Sequence, residues 1–247
     1  MIYQNEDFLV LNKPAGMLVL SDNSKFKSQK SKLGWPTLTS WLIERYPEIK
    51  KVGDNPEERP GIVHRLDKDT SGVMVVARNQ RTFEYLKNLF QEHQVQKKYL
   101  ALVYGEPKEK TGVINQPISL KPGTTRRTIF GGKMEKEAVT EYEFIEGFRL
   151  KVVGFRKKRE SFIDVSLLEV KPKTGRTHQI RVHLASIGNK IVNDPIYASK
   201  KEKIGNGRLM LHAKVLEFTA EDGRRMRFEA EPPEDFGEII EELESRK

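Results

Sequence analysis

The sequence predicts an α+β fold, a mostly antiparallel mixed central sheet flanked by helices and loops. Three observations lead there. Strand-like segments outnumber helical patterns, several of them adjoin across short turns, and the regular strand–helix alternation of a doubly wound fold is missing. Residues 7–11 and 17–20 read as short strands around the Lys13-Pro-Ala-Gly16 turn. Residues 21–35 are polar and basic, with too few apolar anchors to offset their ordering entropy, so a mobile loop is expected. A helix from Thr37 to Arg45 places Leu38, Trp41 and Leu42 on one face, and residues 50–60 read as loop.

Gly72–Arg78 is apolar almost throughout and reads as a buried strand. Asn79 is the expected cap of a helix over residues 80–93, which sets Phe83, Leu86, Leu89 and Phe90 at core spacing. Tyr99–Tyr104 reads as a strand closed by Gly105, and further strands are expected at 138–145, 150–154, 161–170 and 208–218. Thr177 is expected to cap a helix carrying Ile180, Leu184 and Ile187, with Gly188 as its stop. A last helix over 235–247 carries Phe236, Ile239, Ile240 and Leu243. No repeat, heptad or clean linker divides the chain, so residues 1–247 are expected to form one domain.

Composition narrows the function. The chain has 247 residues, 37% hydrophobic and 32% charged, which is enough apolar content for a core. It has no cysteine, and that excludes disulfides, thiol nucleophiles, iron–sulfur clusters and Cys-based zinc sites. Its apolar runs, such as Gly72-Val-Met-Val-Val-Ala77, are too short for a membrane helix, and the N-terminus lacks the basic and apolar regions of a secretory signal. A soluble, cytoplasmic protein without a membrane partner is expected. The formal net charge of +9 fits an anionic partner such as a phosphate polymer, although charge alone fits simple solubility equally well. His64, His93, His178, His183 and His212 include no pair four apart, so no metal site is expected.

The densest polar stretch is His64-Arg-Leu-Asp-Lys-Asp-Thr-Ser-Gly72, between Gly61-Ile-Val63 and the apolar strand. Apolar flanks hold this segment near the core while it carries two carboxylates, a histidine and two cations. Asp69, Thr70 and Ser71 read as turn chemistry. Asp67, beside Arg65 and Lys68, is the stronger candidate for a reactive carboxylate.

Arg65-Leu-Asp-Lys-Asp-Thr-Ser-Gly72, preceded by Arg59-Pro-Gly-Ile-Val-His64, closely resembles the active-site motif of the RluA-type pseudouridine synthases. Asn12-Lys-Pro-Ala-Gly16 is similar to the N-terminal signature of that family, and Lys97-Lys-Tyr-Leu-Ala-Leu-Val-Tyr-Gly105 to its tyrosine motif. Thr174-Gly-Arg-Thr-His-Gln-Ile-Arg-Val-His-Leu184 is similar to its arginine motif, with Arg208-Leu-Met-Leu-His-Ala213 following. The matches run in order over residues 7 to about 218, which makes the resemblance highly specific.

The resemblance implies the pseudouridine synthase fold with an active-site cleft, and conversion of a uridine in RNA to its C5-glycosidic isomer without cofactor or metal. It assigns Asp67 as nucleophile or electrostatic partner of the sugar, Arg181 as the cation that pairs with it, and Tyr99 as the ring against the base. Arg65 corresponds to the arginine that enters the helix when the target nucleotide is extruded. His64, Arg176 and Gln179 are expected to contact the substrate, with His178 beside them; His178 and His212 read equally well as structural. Lys121, Arg126, Arg127 and Lys133 flank a Gly-rich segment that could touch phosphates or form a solvated hairpin. Where the family often has Gly-Asp-x-x-Tyr-Gly, this chain has Asn193-Asp-Pro-Ile-Tyr-Ala198, a change in turn geometry. The motifs begin within the first dozen residues, so no N-terminal S4-like RNA-binding domain is expected. Large-subunit ribosomal RNA is the expected substrate, with tRNA second; a monomer without an obligate protein partner is expected.

Two other readings compete. Asp67-Lys-Asp69-Thr70 resembles the nucleophile loop of magnesium-dependent haloacid-dehalogenase-like phosphatases, but His64-Arg65 interrupts the apolar strand that should precede it. A non-catalytic RNA-binding or chaperone protein on the same scaffold would be marked by loss of the aspartate, tyrosine or arginine, and all three are present.

Overall fold

A computed structural model describes residues 1–20, 37–124, 126–153, 160–198, 204 and 207–244; the loop expected at 21–35 lies outside them, as do residues 245–247 of the last helix. The elements begin with β1 (Tyr3–Gln4), β2 (Phe8–Lys13), α1 (Leu38–Arg45), a 3-10 turn at Pro47–Lys51, β3 (Ser71–Ala77), α2 (Gln80–Gln91) and β4 (Gln96–Tyr104). There follow β5 (Thr111–Asn115), β6 (Ile118–Leu120), β7 (Arg127–Thr128), β8 (Lys133–Lys136), β9 (Val139–Val153) and β10 (Glu160–Pro172). The chain continues through α3 (Gln179–Ser186), β11 (Leu211–Thr219), β12 (Arg225–Glu229) and α4 (Glu234–Glu244). Strands predominate, and after the alternating stretch β2-α1-β3-α2-β4 they run from β4 to β10 with no helix between them, as in an α+β fold. The residues group into two compact units, Met1–Lys97 with Ala213–Glu231, and Lys98–His212 with Pro232–Lys247.

In the first unit, β2 pairs antiparallel with β3 from Phe8 opposite Ala77 to Lys13 opposite Gly72. All seven residues of β3 are buried, and each large aliphatic side chain so covered contributes about 1.5–3 kcal/mol. Phe83, Leu86 and Leu89 of α2 are buried, and the Asn79 side chain accepts the Thr82 N–H, so the expected cap is present. Phe8, Phe218 and Phe228 pack ring against ring, which seats the β11–β12 hairpin on β2. Residues 17–20 do not form the expected strand. The carbonyls of Leu18 and Val19 instead accept the N–H groups of Leu38 and Thr39 at the start of α1, while Met17 and Val19 are buried. Their backbone groups are thus used on a helix end rather than a ladder.

Four residues, Lys13, Gly61, His64 and Gly72, fix the segment between Gly61 and Gly72. Gly61 has φ +68 and Gly72 has φ +124; a Cβ would stand 2.5 Å from the Ala77 carbonyl oxygen at the first and 2.2 Å from that of Ala213 at the second. Lys13 is fully buried, and its ammonium donates to the carbonyls of Pro14, Met17 and Lys68 at 2.8, 2.9 and 3.0 Å. His64 accepts the Val75 N–H at Nε2 and stacks on Phe90 with 4.4 Å between ring centroids. Burial, with Lys97 nearby, pushes the His64 imidazole down to about 3, and burial pushes Lys97 down to about 8.

The second unit carries strands in the order β4-β10-β9-β5, all antiparallel. The expected strands at 138–145 and 150–154 are one strand, because Gly147 is accommodated in the ladder opposite Ser166, beside an irregularity at Leu167/Leu168. Ala101, Leu102, Leu168, Leu184, Met210 and Phe236 are among the fully buried side chains of this unit's core. A small sheet, β7-β6-β8, packs through Ile118 and Ile129 on Val182 of α3 and on Tyr197. α3 starts at Gln179 with His178 at its N-cap in a left-handed conformation, φ 56, so Thr177 is not the cap. Gly188, φ +93, follows the helix as expected.

Replacing Lys13 by Met takes the donor from the Pro14 and Met17 carbonyls, while the Lys68 carbonyl keeps the Gly16 N–H, and should cost about 2–3 kcal/mol, read as a Tm lower by several degrees. An unchanged Tm would mean those carbonyls find other donors. The His64 ring stays neutral in the fold to about pH 3, whereas the unfolded chain takes up its proton near 6.5. Its contribution is therefore complete above pH 6.5 and lost progressively as pH falls toward 3. Urea unfolding of wild type and His64→Gln over that window should give a flatter pH dependence for the variant; parallel curves would contradict the assignment.

Candidate active site

The loop of the first unit presents Asp67. Leu66, Thr70 and Ser71 are buried, Asp67 is half-buried, and Arg65 and Lys68 are exposed. The Asp67 carbonyl accepts the Thr70 N–H, so Asp67–Thr70 forms the turn expected of Asp69 and its neighbours. The backbone is tied down on the following residue as well, because the Lys68 carbonyl accepts both Lys13 Nζ and the Gly16 N–H. A carboxylate on so restricted a backbone has little freedom of position, which is what nucleophilic or electrostatic catalysis asks of it. In this loop His64 is committed to Val75 and Phe90 within the protein.

In the second unit Tyr99 lies on β4 opposite Val170, half-buried against the apolar cluster. Arg181 is 3% exposed and grips Asp194 with two hydrogen bonds, Nε to Oδ2 at 2.8 Å and Nη2 to Oδ1 at 2.9 Å. Asp194 Oδ1 also accepts the N–H groups of Ile196 and Tyr197. Burial by itself would raise the Asp194 carboxyl, but the Arg181 bonds and charge and the two backbone donors hold it below the ordinary carboxylate range. The Arg181 guanidinium stands over the Tyr197 ring, 5.5 Å from its centroid. Asp194 and Tyr197 are the residues that sequence reasoning did not assign; their signal was the Asn193-Asp-Pro-Ile-Tyr-Ala198 run, read there as a turn.

Gln179 closes its amide inside the unit. Its Oε1 accepts Thr174 Oγ1 at 2.7 Å and the Arg176 N–H at 3.0 Å, and its Nε2 donates to the Val139 carbonyl and to Thr140 Oγ1. Arg176 is half-buried and donates from Nε to the Glu137 carbonyl. His178 Nδ1 lies 3.1 Å from Tyr197 Oη, and the buried His183 ring bonds Thr140 and the Gln116 carbonyl. His212 is fully buried beside Phe236. Among the described residues no three His, Asp or Glu side chains are grouped as a metal ion would need, and no helix is long and apolar enough to cross a membrane.

Comparison with known proteins supplies the class of chemistry. Residues 7–186 match the RNA pseudouridylate synthase family. An RNA pseudouridine synthase of Aquifex aeolicus is 36% identical over 98% of this chain and 72% of its own length. The ribosomal large subunit pseudouridine synthase D of Zymomonas mobilis is 32% identical over 95% of this chain and 69% of its own. Among solved structures, the human RNA pseudouridylate synthase domain containing 1 superposes with a TM-score of 0.68 at 27% identity, covering 94% of this chain and 82% of that one. That superposition bears out the expected fold, and with the sequence matches it establishes that the chain belongs to the RNA pseudouridylate synthase family of RNA isomerases.

Proposed function

We propose that the chain isomerises a specific uridine of structured RNA to pseudouridine, with Asp67 as the essential carboxylate. The observation that carries this reading is the position of Asp67, within the family match and on a loop held by Lys13, Gly61 and Gly72. In the reaction the C1′–N1 bond breaks, the uracil turns, C1′–C5 forms, the C5 proton leaves and N1 ends protonated, so atoms balance without a co-reactant. Asp67 attacks or shields the electron-poor sugar carbon once the base departs. Tyr99 lies against the base and takes part in the proton transfer at C5. Arg181, oriented by Asp194, is the cation that the family resemblance assigns as the partner of Asp67.

Arg65, exposed on the Asp67 loop, is proposed to fill the gap left when the nucleotide is extruded, and Arg176 to contact the RNA beside α3. His64 and Gln179 act through the loop and the helix end that they brace. Large-subunit ribosomal RNA is the proposed target, supported by the name of the Zymomonas mobilis relative, and tRNA is the second candidate.

Tritium release from RNA labelled at uracil C5 tests the reaction, with ribosomal RNA and tRNA assayed separately. Wild type should release label from one pool and Asp67→Asn from neither, while the variant binds RNA as wild type does. An active Asp67→Asn protein would overturn the carboxylate's role. Arg181→Lys keeps the charge but loses the planar fork; kcat should fall at least tenfold, with KM for RNA little changed. A KM effect alone would make Arg181 an RNA-binding residue.

A further inference from the structure

The β7-β6-β8 sheet joins buried residues of β6 to exposed cations of β8, with Lys136 opposite Ile118 and Lys133 opposite Leu120. It reaches α3 of the second unit through Ile118 and Ile129, which pack with Val182 and Tyr197. The Arg127 N–H donates to Tyr197 Oη at 3.0 Å, and Tyr197 is the ring beneath the Arg181 guanidinium. The sheet is therefore held firmly on the element that carries Arg181.

Ser119 is buried and Leu120, Arg127 and Thr128 are half-buried, while β8 and most of the turns are open to solvent. Lys121, Arg126, Lys133 and Lys136 are exposed, and none of them has a carboxylate partner among the described residues. On the neighbouring β9–β10 ladder, by contrast, Lys171 and Lys173 are paired with Glu169 and Glu141. Arg127 adds a buried Nε that has no hydrogen-bond partner among the described residues. Two large apolar side chains stand among these cations, Phe130 at 77% exposure and Met134 at 73%. The backbone under Phe130 is held by its own N–H, which donates to Thr128 Oγ1. Unpaired cations beside an exposed aromatic ring match single-stranded nucleic acid, which offers phosphates and unstacked base faces together.

We propose that this sheet is an RNA-docking arm, in which Arg126, Lys133 and Lys136 take backbone phosphates and Phe130 stacks on an unpaired base. The proposal rests on the reading of the chain as an RNA isomerase, and it names a surface of this chain that grips the substrate. An RNA seated there is held in register with Arg181, because Ile118, Ile129 and the Arg127 N–H anchor the arm on Val182 and Tyr197. The arm acts on binding and not on the chemical step.

Two sets of variants test it, Phe130→Ala with Phe130→Tyr as its stacking control, and a triple Arg126→Ala, Lys133→Ala, Lys136→Ala. All of these positions are exposed, so Tm should not move. Phe130→Ala should weaken binding of the substrate RNA roughly 5- to 100-fold, and Phe130→Tyr should restore it. The triple variant should lower the slope of log K against log salt by about 2–3. Both should raise KM and leave kcat at saturating RNA unchanged. Wild-type affinity and salt slope in both sets, with the wild-type protein active, would overturn the arm and leave the reaction standing. Loss of self-association without loss of RNA affinity in Phe130→Ala would overturn it in favour of a protein surface. Arm-dependent RNA binding by a wild-type protein that releases no tritium would support the arm and defeat the reaction.

Discussion

A lysine ammonium buried away from water and surrounded by carbonyl oxygens is the contact on which the candidate site depends. Lys13 is drawn into the core by its place on β2, and it is tolerated there because Pro14, Met17 and Lys68 supply its acceptors. One of those acceptors belongs to the residue after Asp67. A charge that needs every one of its partners makes the loop hard to displace, since any shift of Lys68 costs the ammonium a bond. The glycines at the two ends work in the same direction by sterics, with approaches to Ala77 and Ala213 that any side chain would block. Rigidity here comes from polar and steric contacts more than from apolar area.

The second unit solves a related problem with a charge of its own. Arg181 is buried, and a buried guanidinium is stable only when its donors are met. Asp194 meets two of them and is itself steadied by the N–H groups of Ile196 and Tyr197. The pair presents a cation whose direction is fixed by a planar two-bond contact, which a lysine could not reproduce. Tyr197 serves three neighbours at once, the Arg181 face, His178 and the Arg127 backbone, so it links the helix of the arginine motif to the small basic sheet.

Much of this was legible in the sequence where the signal is local. The unbroken apolar run of β3, the Asn79 cap and the Phe83–Leu86–Leu89 spacing each depend on neighbours within a few residues, and each appears as read. The motif around Asp67 stood out as a candidate site because charged and turn residues crowd between apolar flanks. Long-range effects were not. Residues 17–20 have strand composition, but the N-terminus of α1 claims their carbonyls; β9 runs through Gly147, where local reading stops a strand. The short strands β5 to β8 carry too few apolar residues to show a period. The partnership of Arg181 with Asp194 joins positions thirteen apart in chain order across a helix end, and no spacing rule announces it.

The role proposed for Asp67 requires a carboxylate that is held in place, and not merely present. Asp67→Glu keeps the charge and moves the carboxylate by one methylene, about 1.5 Å, on a backbone that cannot retreat. Single-turnover tritium release at saturating protein measures the chemical step alone. The expected rate is at least about 100-fold below wild type, with unchanged RNA affinity and unchanged Tm. A rate within a few-fold of wild type would contradict it, because the loop would then be yielding enough to return the longer side chain to its place.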